Sequence, residues 1–287
     1  MARILIVGPG YVGGLLGKEL IRRGHIVWAL KRTEGTLPEG LIPIIGNVAA
    51  PEICEEIPEE LDLIFYSAAP SSGEEASYQE VYVDGLANLL KLIETRKDPI
   101  RRFLLTSSTG VYHQNDGAWV DENSPTQPSR LTASHILQGE AMLQASSLET
   151  VSLRLAGIYG PGRNRLIRTV ADRSAVCARG QRHFTNRIHQ EDCVGALLHL
   201  MHVENPLDTY LCSDHDPAER SDVLGWIASQ LGVPSPAQVD IDQAPSRLRG
   251  ANKRCKNHRL VQSGYQFKYP GFRDGYPAII RSWQETT

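Results

Sequence analysis

The 287-residue chain lacks several features that would have fixed its class at once. Its five cysteines, Cys54, Cys177, Cys193, Cys212 and Cys255, are widely spaced and form no C-x-x-C pair. An odd, scattered set argues against a disulfide framework and against structural zinc, and fits idle thiols in a reducing cytoplasm. No apolar run approaches the roughly 18–20 residues that span a bilayer. ILIV at 4–7 runs straight into a glycine loop without a cleavage pattern, so neither a signal peptide nor a membrane partner is expected. Net charge is only −3, too little to draw nucleic acid or anionic lipid. The basic stretch RLRGANKRCKNHR at 247–259 is therefore a local feature. Internal repeats and low-complexity linkers are missing too. Finally, residues 121–150 contain neither tyrosine nor lysine.

What is present is an alternation of strand-like and helical patterns. Apolar runs stand at 2–8, 25–30, 41–46, 62–69, 102–108 and 150–157. Most are continuously apolar, as expected of strands covered on both faces. Helical patterns separate them at 11–23, 79–96 and 133–146. Repeated βα units predict an α/β fold, a Rossmann-type doubly wound parallel sheet. After Gly160 the texture changes. Residues 164–180, 192–202 and 221–232 read as helices, the last with Ser221 as N-cap and Gly232 as its stop. This predicts a dinucleotide-binding domain over 1–164 and a smaller C-terminal substrate lobe over 165–287, with some chain returning to the first.

The segment VGPGYVGG at 7–14 follows the first strand and opens the first helix. Gly8 permits a tight turn, Gly10 lets backbone approach a pyrophosphate, and Gly13 allows close helix–strand packing. Tyr11 and Val12 complete the candidate cradle at the helix's positive end. The second strand ends in WALKRT, placing Lys31 and Arg32 where the adenosine ribose is read. Two cations suit a 2′-phosphate and offer the 2′-OH no acceptor, so NADP(H) is favoured over NAD(H).

With these residues in view, the chain resembles the extended short-chain dehydrogenase/reductase superfamily, the NAD-dependent epimerase/dehydratase family. SAAP at 67–70 resembles the segment passing under the coenzyme, which implies coenzyme contacts for Ala68, Ala69 and Pro70. LLTSSTGVYHQ at 104–114 resembles the active-site segment of the fifth strand. There Ser107 would face the coenzyme, and Ser108, four residues before Tyr112, would hydrogen-bond the reacting oxygen. LRLAGIYGPGR at 153–163 and NRIHQEDCVGALL at 186–198 resemble the turn and return motifs of the substrate lobe. The likeness implies substrate contacts for Tyr159, Arg163, Arg187 and His189, with arginines suited to a carboxylate or phosphate. Asp192 is expected to cap the helix after it.

The departures matter as much. Family members carry Tyr-x-x-x-Lys after the serine, with a glutamate eight residues past the tyrosine. Glu140 fits that glutamate, which puts Thr132 at the tyrosine position and Ile136 at the lysine position. Tyr82 stands where an asparagine is common, and Asn47 where a carboxylate often meets adenine. A lost general acid costs about 10²–10⁴ in rate, and a threonine hydroxyl is too weak an acid to replace it. His135, one turn on, and Tyr112 are the replacement donors, with His113 and Tyr159 behind them; His183 and His189 suit the substrate lobe. No histidine pair has a third ligand at metal spacing, so no metal is expected. Lys253 and Arg254 read equally as a basic strip facing an anionic substrate or as a solvated face.

The sequence thus predicts an NADP(H)-dependent oxidoreductase or epimerase-like enzyme acting on a polar, anionic small molecule at the carboxyl ends of the strands. The alternative is an inactive NADP(H)-binding sensor or structural protein. Helices 79–96 and 133–146 are the faces on which a homodimer would form.

Overall fold

Apolar runs that cannot face water on either side must stack in the middle of a layered structure, and these do. The computed structural model describes residues 1–96, 100–128, 130–180, 182–240 and 252–286. The first five residues of the basic stretch at 247–259 lie outside that set. The central strands are β1 (Arg3–Val7), β2 (Ile26–Lys31), β3 (Ile42–Ile45), β4 (Leu63–Tyr66), β5 (Arg102–Ser108), β7 (Thr150–Leu155) and β12 (Thr209–Cys212). They form one seven-stranded parallel sheet in the order β12-β7-β5-β4-β1-β2-β3. The order reverses between β1 and β4, the point at which doubly wound sheets open a crevice at their carboxyl edge. Ile4, Leu5, Ile6, Phe65, Phe103 and Leu104 are wholly buried there.

Two units interleave along the chain. The first comprises Met1–Val111, Gln127–Arg154 and Val194–Tyr210; the second comprises Tyr112–Thr126, Leu155–Cys193 and Leu211–Thr287. In the first unit, α1 (Tyr11–Arg22) buries Val12, Leu16 and Leu20, one stripe of an amphipathic helix. The helix expected over 79–96 begins earlier and is interrupted. It runs as α2 (Glu75–Gln79), a π-helical turn (Glu80–Asp84) and α3 (Gly85–Glu94). The Tyr66 hydroxyl donates to the Val81 carbonyl at 2.5 Å, and Gly85 leaves the room that this phenol needs. A carbonyl drawn off the helical ladder accounts for the widened turn. Next comes α4 (Leu131–Gln144), followed by α6 (Gln190–Leu200), most of which belongs to this unit.

The second unit is built from short strand pairs and helices: β6 (Ala118–Val120) with β15 (Lys253–Cys255), β8 (Gly157–Tyr159) with β11 (Arg187–His189), β9 (Val176–Ala178) with β14 (Ala237–Val239), and β10 (Phe184–Thr185) with β13 (Ala218–Glu219). Around them lie α5 (Arg165–Ala171), α7 (Arg220–Leu231), α8 (His258–Gln262) and α9 (Phe272–Thr286). The helix expected over 164–180 stops at Ala171. Asp172 Oδ1 accepts from Ser174 N at 3.0 Å and Arg173 takes φ 60°, turning the following apolar residues into β9. Gly232 ends α7 as expected, in the left-handed conformation, but the N-cap is Glu219 rather than Ser221 and makes no side-chain cap bond. Among the described residues no helix is long and apolar enough to cross a membrane.

Candidate functional site

The loop after β1 meets the loop after β4 at the sheet's switch point. Gly8 has φ +85°, and a Cβ there would lie 2.4 Å from the Ala68 Cα, so both conformation and space demand glycine. A Cβ on Gly13 would lie 2.3 Å from the Gly8 carbonyl oxygen, which is the close helix–strand packing expected of the third glycine. Gly10 differs: nothing stands within 4 Å of its Cβ position. The first turn of α1 carries no acidic residue, and no side chain caps it. Its N–H groups and positive dipole end are thus available to an anion beside an open glycine. These residues fit a dinucleotide's pyrophosphate. Tyr11 is half-buried and Val12 buried at the helix start, while the SAAP segment has Ala69 exposed and Ala68 and Pro70 half-buried.

At the end of β2, the Lys31 ammonium donates to the Gly35 carbonyl at 3.2 Å. Arg32 Nη1 lies 3.7 Å from Glu80 Oε2, and Asn47 Nδ2 donates to Glu80 Oε1 at 2.6 Å. Arg32 is thus already paired with a carboxylate that the sequence reading missed. Glu80 lies on the π-helical turn, remote in sequence from Arg32, and no local pattern announces it.

Ser108 ends β5, half-exposed. Its Oγ accepts from Gly110 N at 3.0 Å, which leaves its own proton to donate. Ser107, expected to face the coenzyme, is committed elsewhere. Its buried hydroxyl donates to Glu140 Oε1 at 2.5 Å, and Arg154 Nη2 holds Glu140 Oε2 at 2.7 Å. Glu140 and Arg154 are 2% and 6% exposed, so this is a buried charge network that ties α4 to β5 and β7. Thr132 is half-buried at the start of α4, and Ile136 is buried. His135 Nε2 lies 3.4 Å from Glu75 Oε1, so the histidine has a carboxylate partner on α2.

In the second unit Tyr112 is buried and His113 exposed. Tyr159, Arg163 and Arg187 are brought together as walls of one cavity of about 900 Å³. Tyr159 stacks on Tyr276 with ring centroids 4.7 Å apart. Burial raises its phenol pKa above the ordinary range. His189 is not a wall of that cavity. It is buried against Tyr269, ring centroids 3.8 Å apart, its Nδ1 accepts from Glu191 N, and burial lowers its pKa. Asp192 does not act as an N-cap. Wholly buried, it accepts from the Tyr265 hydroxyl at 2.8 Å, Lys268 N at 2.8 Å and Tyr269 N at 2.9 Å, and so anchors the segment before α9. Nor are Lys253 and Arg254 a solvated strip. Lys253 is buried, which lowers its pKa, and Arg254 donates to the Gly117 carbonyl with its guanidinium 4.8 Å from the Trp119 ring centroid.

The model of the NAD dependent epimerase/dehydratase family matches residues 4–205. The chain belongs to this family. It is similar to a Methylobacillus flagellatus structure assigned as an NAD-dependent epimerase/dehydratase, at 33% identity, with 99% of each chain covered and a TM-score of 0.82. It is also similar to Protein YeeZ of Escherichia coli K12, 26% identical over 94% of this chain and 97% of that protein. A third relative is the decarboxylating sterol-4-alpha-carboxylate 3-dehydrogenase erg26 of Schizosaccharomyces pombe, 30% identical over 58% of this chain. The chain matches about half of that enzyme's length, 53%. As a member of the NAD dependent epimerase/dehydratase family, the protein is an oxidoreductase- or epimerase-like enzyme with a nicotinamide coenzyme.

Asp214 is a group this family member's sequence did not flag. It is wholly buried, its Oδ1 accepts from Asp216 N at 3.1 Å, and its Oδ2 has no hydrogen-bond partner. Burial pushes the carboxyl up to about 8, with Arg187 pulling more weakly the other way. The folded state therefore holds a proton that the unfolded state releases near pH 4. The Asp214 contribution to stability is full below that pH and is lost as pH rises towards 8. An Asp214→Asn variant keeps the neutral form throughout. The variant's stability should match the parent's below about pH 4 and exceed it at pH 8 by an amount on the order of a few kcal/mol, read as a higher melting temperature there. Identical pH slopes in thermal melts would mean that Asp214 is ionised in the fold.

Proposed function

We propose that the protein is an NADP(H)-dependent oxidoreductase or epimerase-like enzyme that acts on a polar, anionic small molecule without the family's tyrosine–lysine pair. The observation that carries this reading is the glycine cradle: closed at Gly8 and Gly13, open at Gly10, and followed by Lys31 and Arg32. Gly8, Gly10, Tyr11, Val12 and Gly13 would hold the pyrophosphate, Ala68, Ala69 and Pro70 the segment beneath the coenzyme, and Lys31 and Arg32 the 2′-phosphate. The coenzyme, when bound, supplies or takes up a hydride. Ser108 donates its free proton to the substrate oxygen and polarises it. His135, oriented by Glu75, is the candidate for the proton that tyrosine supplies elsewhere in the family. Within the second unit, Arg163 and Arg187 are the guanidiniums that the family likeness assigns to an anionic substrate, and Tyr159 is an aromatic wall of their cavity.

Ser108→Ala should lower kcat by roughly 100-fold, the loss typical of a donor to a developing oxyanion, and leave the Kd for NADPH unchanged. NADPH oxidation against a panel of carbonyl acids is the measurement. An unchanged kcat would remove Ser108 from the mechanism. The buried Ile136 favours a second reading, an NADP(H)-binding sensor, because no cation stands at that helical position. Tight NADPH binding, no turnover across the panel and a coenzyme-dependent change of oligomeric state would select it.

A further inference from the structure

We infer that the second unit holds a separate site for a small planar heteroaromatic ligand, of the size and kind of a nucleoside, in the cavity formed by β6, the loop after β12, β15 and α8. The inference goes beyond the enzyme reading and uses none of the residues assigned there to coenzyme or substrate. The cavity measures about 520 Å³, within the roughly 300–1,000 Å³ of small-molecule sites. Its described walls all belong to the second unit. It is chemically unlike the larger cavity, which Arg163, Arg187 and Arg220 help to wall. Among the described residues it has no arginine, one lysine, Lys256, and one acid, Asp214. Recognition there falls to surface contact and hydrogen bonds rather than to net charge.

Two observations give the ligand its chemistry. The first is an open aromatic wall. Trp119 and Val261 line this cavity and are 46% and 39% exposed. The Arg254 guanidinium already stands 4.8 Å from the Trp119 ring centroid, yet nearly half of the residue stays open. An indole held by a strand and left open is a platform on which a flat π-system stacks. The second is Asp214, also a wall, which is wholly buried and whose Oδ2 has no partner. Burial keeps this carboxyl protonated at neutral pH, so it offers a hydroxyl donor beside a carbonyl acceptor. Its neighbour His215 is a donor as well. Asn257 Nδ2 donates to the Ser213 carbonyl at 2.8 Å, which fixes the orientation of the amide, and the same nitrogen lies 3.0 Å from His215 Nδ1. Nδ1 therefore accepts, and the imidazole proton sits on Nε2. Phe267 holds that ring edge-on, with centroids 4.8 Å apart. A saturated polar ligand would meet the donors but not the platform, and a hydrocarbon the reverse. A ring with a nitrogen acceptor beside an exocyclic amine meets both. It stacks on Trp119 and pairs its edge with the neutral carboxyl through two hydrogen bonds.

Calorimetric titration of the full chain with excess NADPH present, so that the coenzyme's own adenine pocket is filled, tests this with adenosine, cytidine and ribose as probes. Adenosine or cytidine should bind at least about tenfold tighter than ribose. Trp119→Ala should cost that nucleoside about tenfold or more, Trp119→Phe should restore most of the loss, and NADPH affinity should be the same in both variants. Asp214→Leu removes the paired edge and should cost about tenfold, whereas Asp214→Asn keeps a donor and an acceptor and should cost about threefold at most. Nucleosides binding no better than ribose, or binding Trp119→Ala as they bind the parent, would overturn the site. Nucleoside affinity unchanged in Asp214→Leu would overturn the pairing at the ring's edge.

Discussion

NADPH affinity should fall about 100-fold in a Lys31→Ala/Arg32→Ala variant, with NADH affinity changing by no more than about twofold. Charge-assisted hydrogen bonds to a phosphate are worth about 1.5–3 kcal/mol each, and two cations end β2. The gain is reduced because Arg32 must leave Glu80. That pair is partly exposed, at 43% and 33%, and such pairs are worth about 0–1 kcal/mol. The remainder is about 2–6 kcal/mol, and the hundredfold effect, about 2.7 kcal/mol, takes the lower part of that range. Glu80 then becomes a lever of its own. Glu80→Gln frees Arg32 and should tighten NADPH binding by up to about fivefold. Coenzyme fluorescence titrations of the three proteins measure all of this. Parent protein that prefers NADH would reverse the reading, and Glu80 would then be the acceptor for a ribose hydroxyl.

Legibility in the sequence followed the range of the forces involved. The strands were readable because residues such as Ile4–Val7 and Leu63–Tyr66 are apolar throughout and are covered on both faces. The glycine loop was readable because a turn, a backbone approach and a helix contact each demand glycine within a few residues. What escaped depends on partners distant in sequence. The π-helical turn at Glu80–Asp84 answers to a phenol on β4, and Glu80 has its meaning only beside Arg32 and Asn47. Asp192 carries the right chemistry for a cap but is claimed by Tyr265 and the backbone of Lys268 and Tyr269. In the same way, the basic residues near 253 are indistinguishable in sequence from a solvated strip until a ring such as Trp119 covers one of them. The arginine cavity was half visible. Arg163 and Arg187 belong to recognisable motifs, but Arg220, remote from both in sequence, joins them only in three dimensions.

Glu140→Ala should be among the most destabilising single changes in the chain, at about 3–5 kcal/mol. The carboxylate is 2% exposed and takes a hydrogen bond from Ser107 and bonds from two guanidinium nitrogens of Arg154. Removing it takes the counter-charge from a guanidinium that is 6% exposed. The penalty is that of a buried charge without its carboxylate rather than of one lost contact. Glu140→Gln keeps a partner for Ser107 and should cost less. Glu140→Leu combined with Arg154→Met removes both charges, and should recover most of the loss because an apolar pair of similar volume needs no compensation. Urea denaturation of the three variants gives the ranking, with the double variant above Glu140→Ala. A double variant no more stable than Glu140→Ala would mean that packing, not charge, holds this region. The same network makes Ser107→Ala informative. Its hydroxyl serves Glu140, so the change should lower stability by about 1–2 kcal/mol and leave NADPH affinity as it was. Loss of NADPH affinity at constant stability would return Ser107 to the coenzyme.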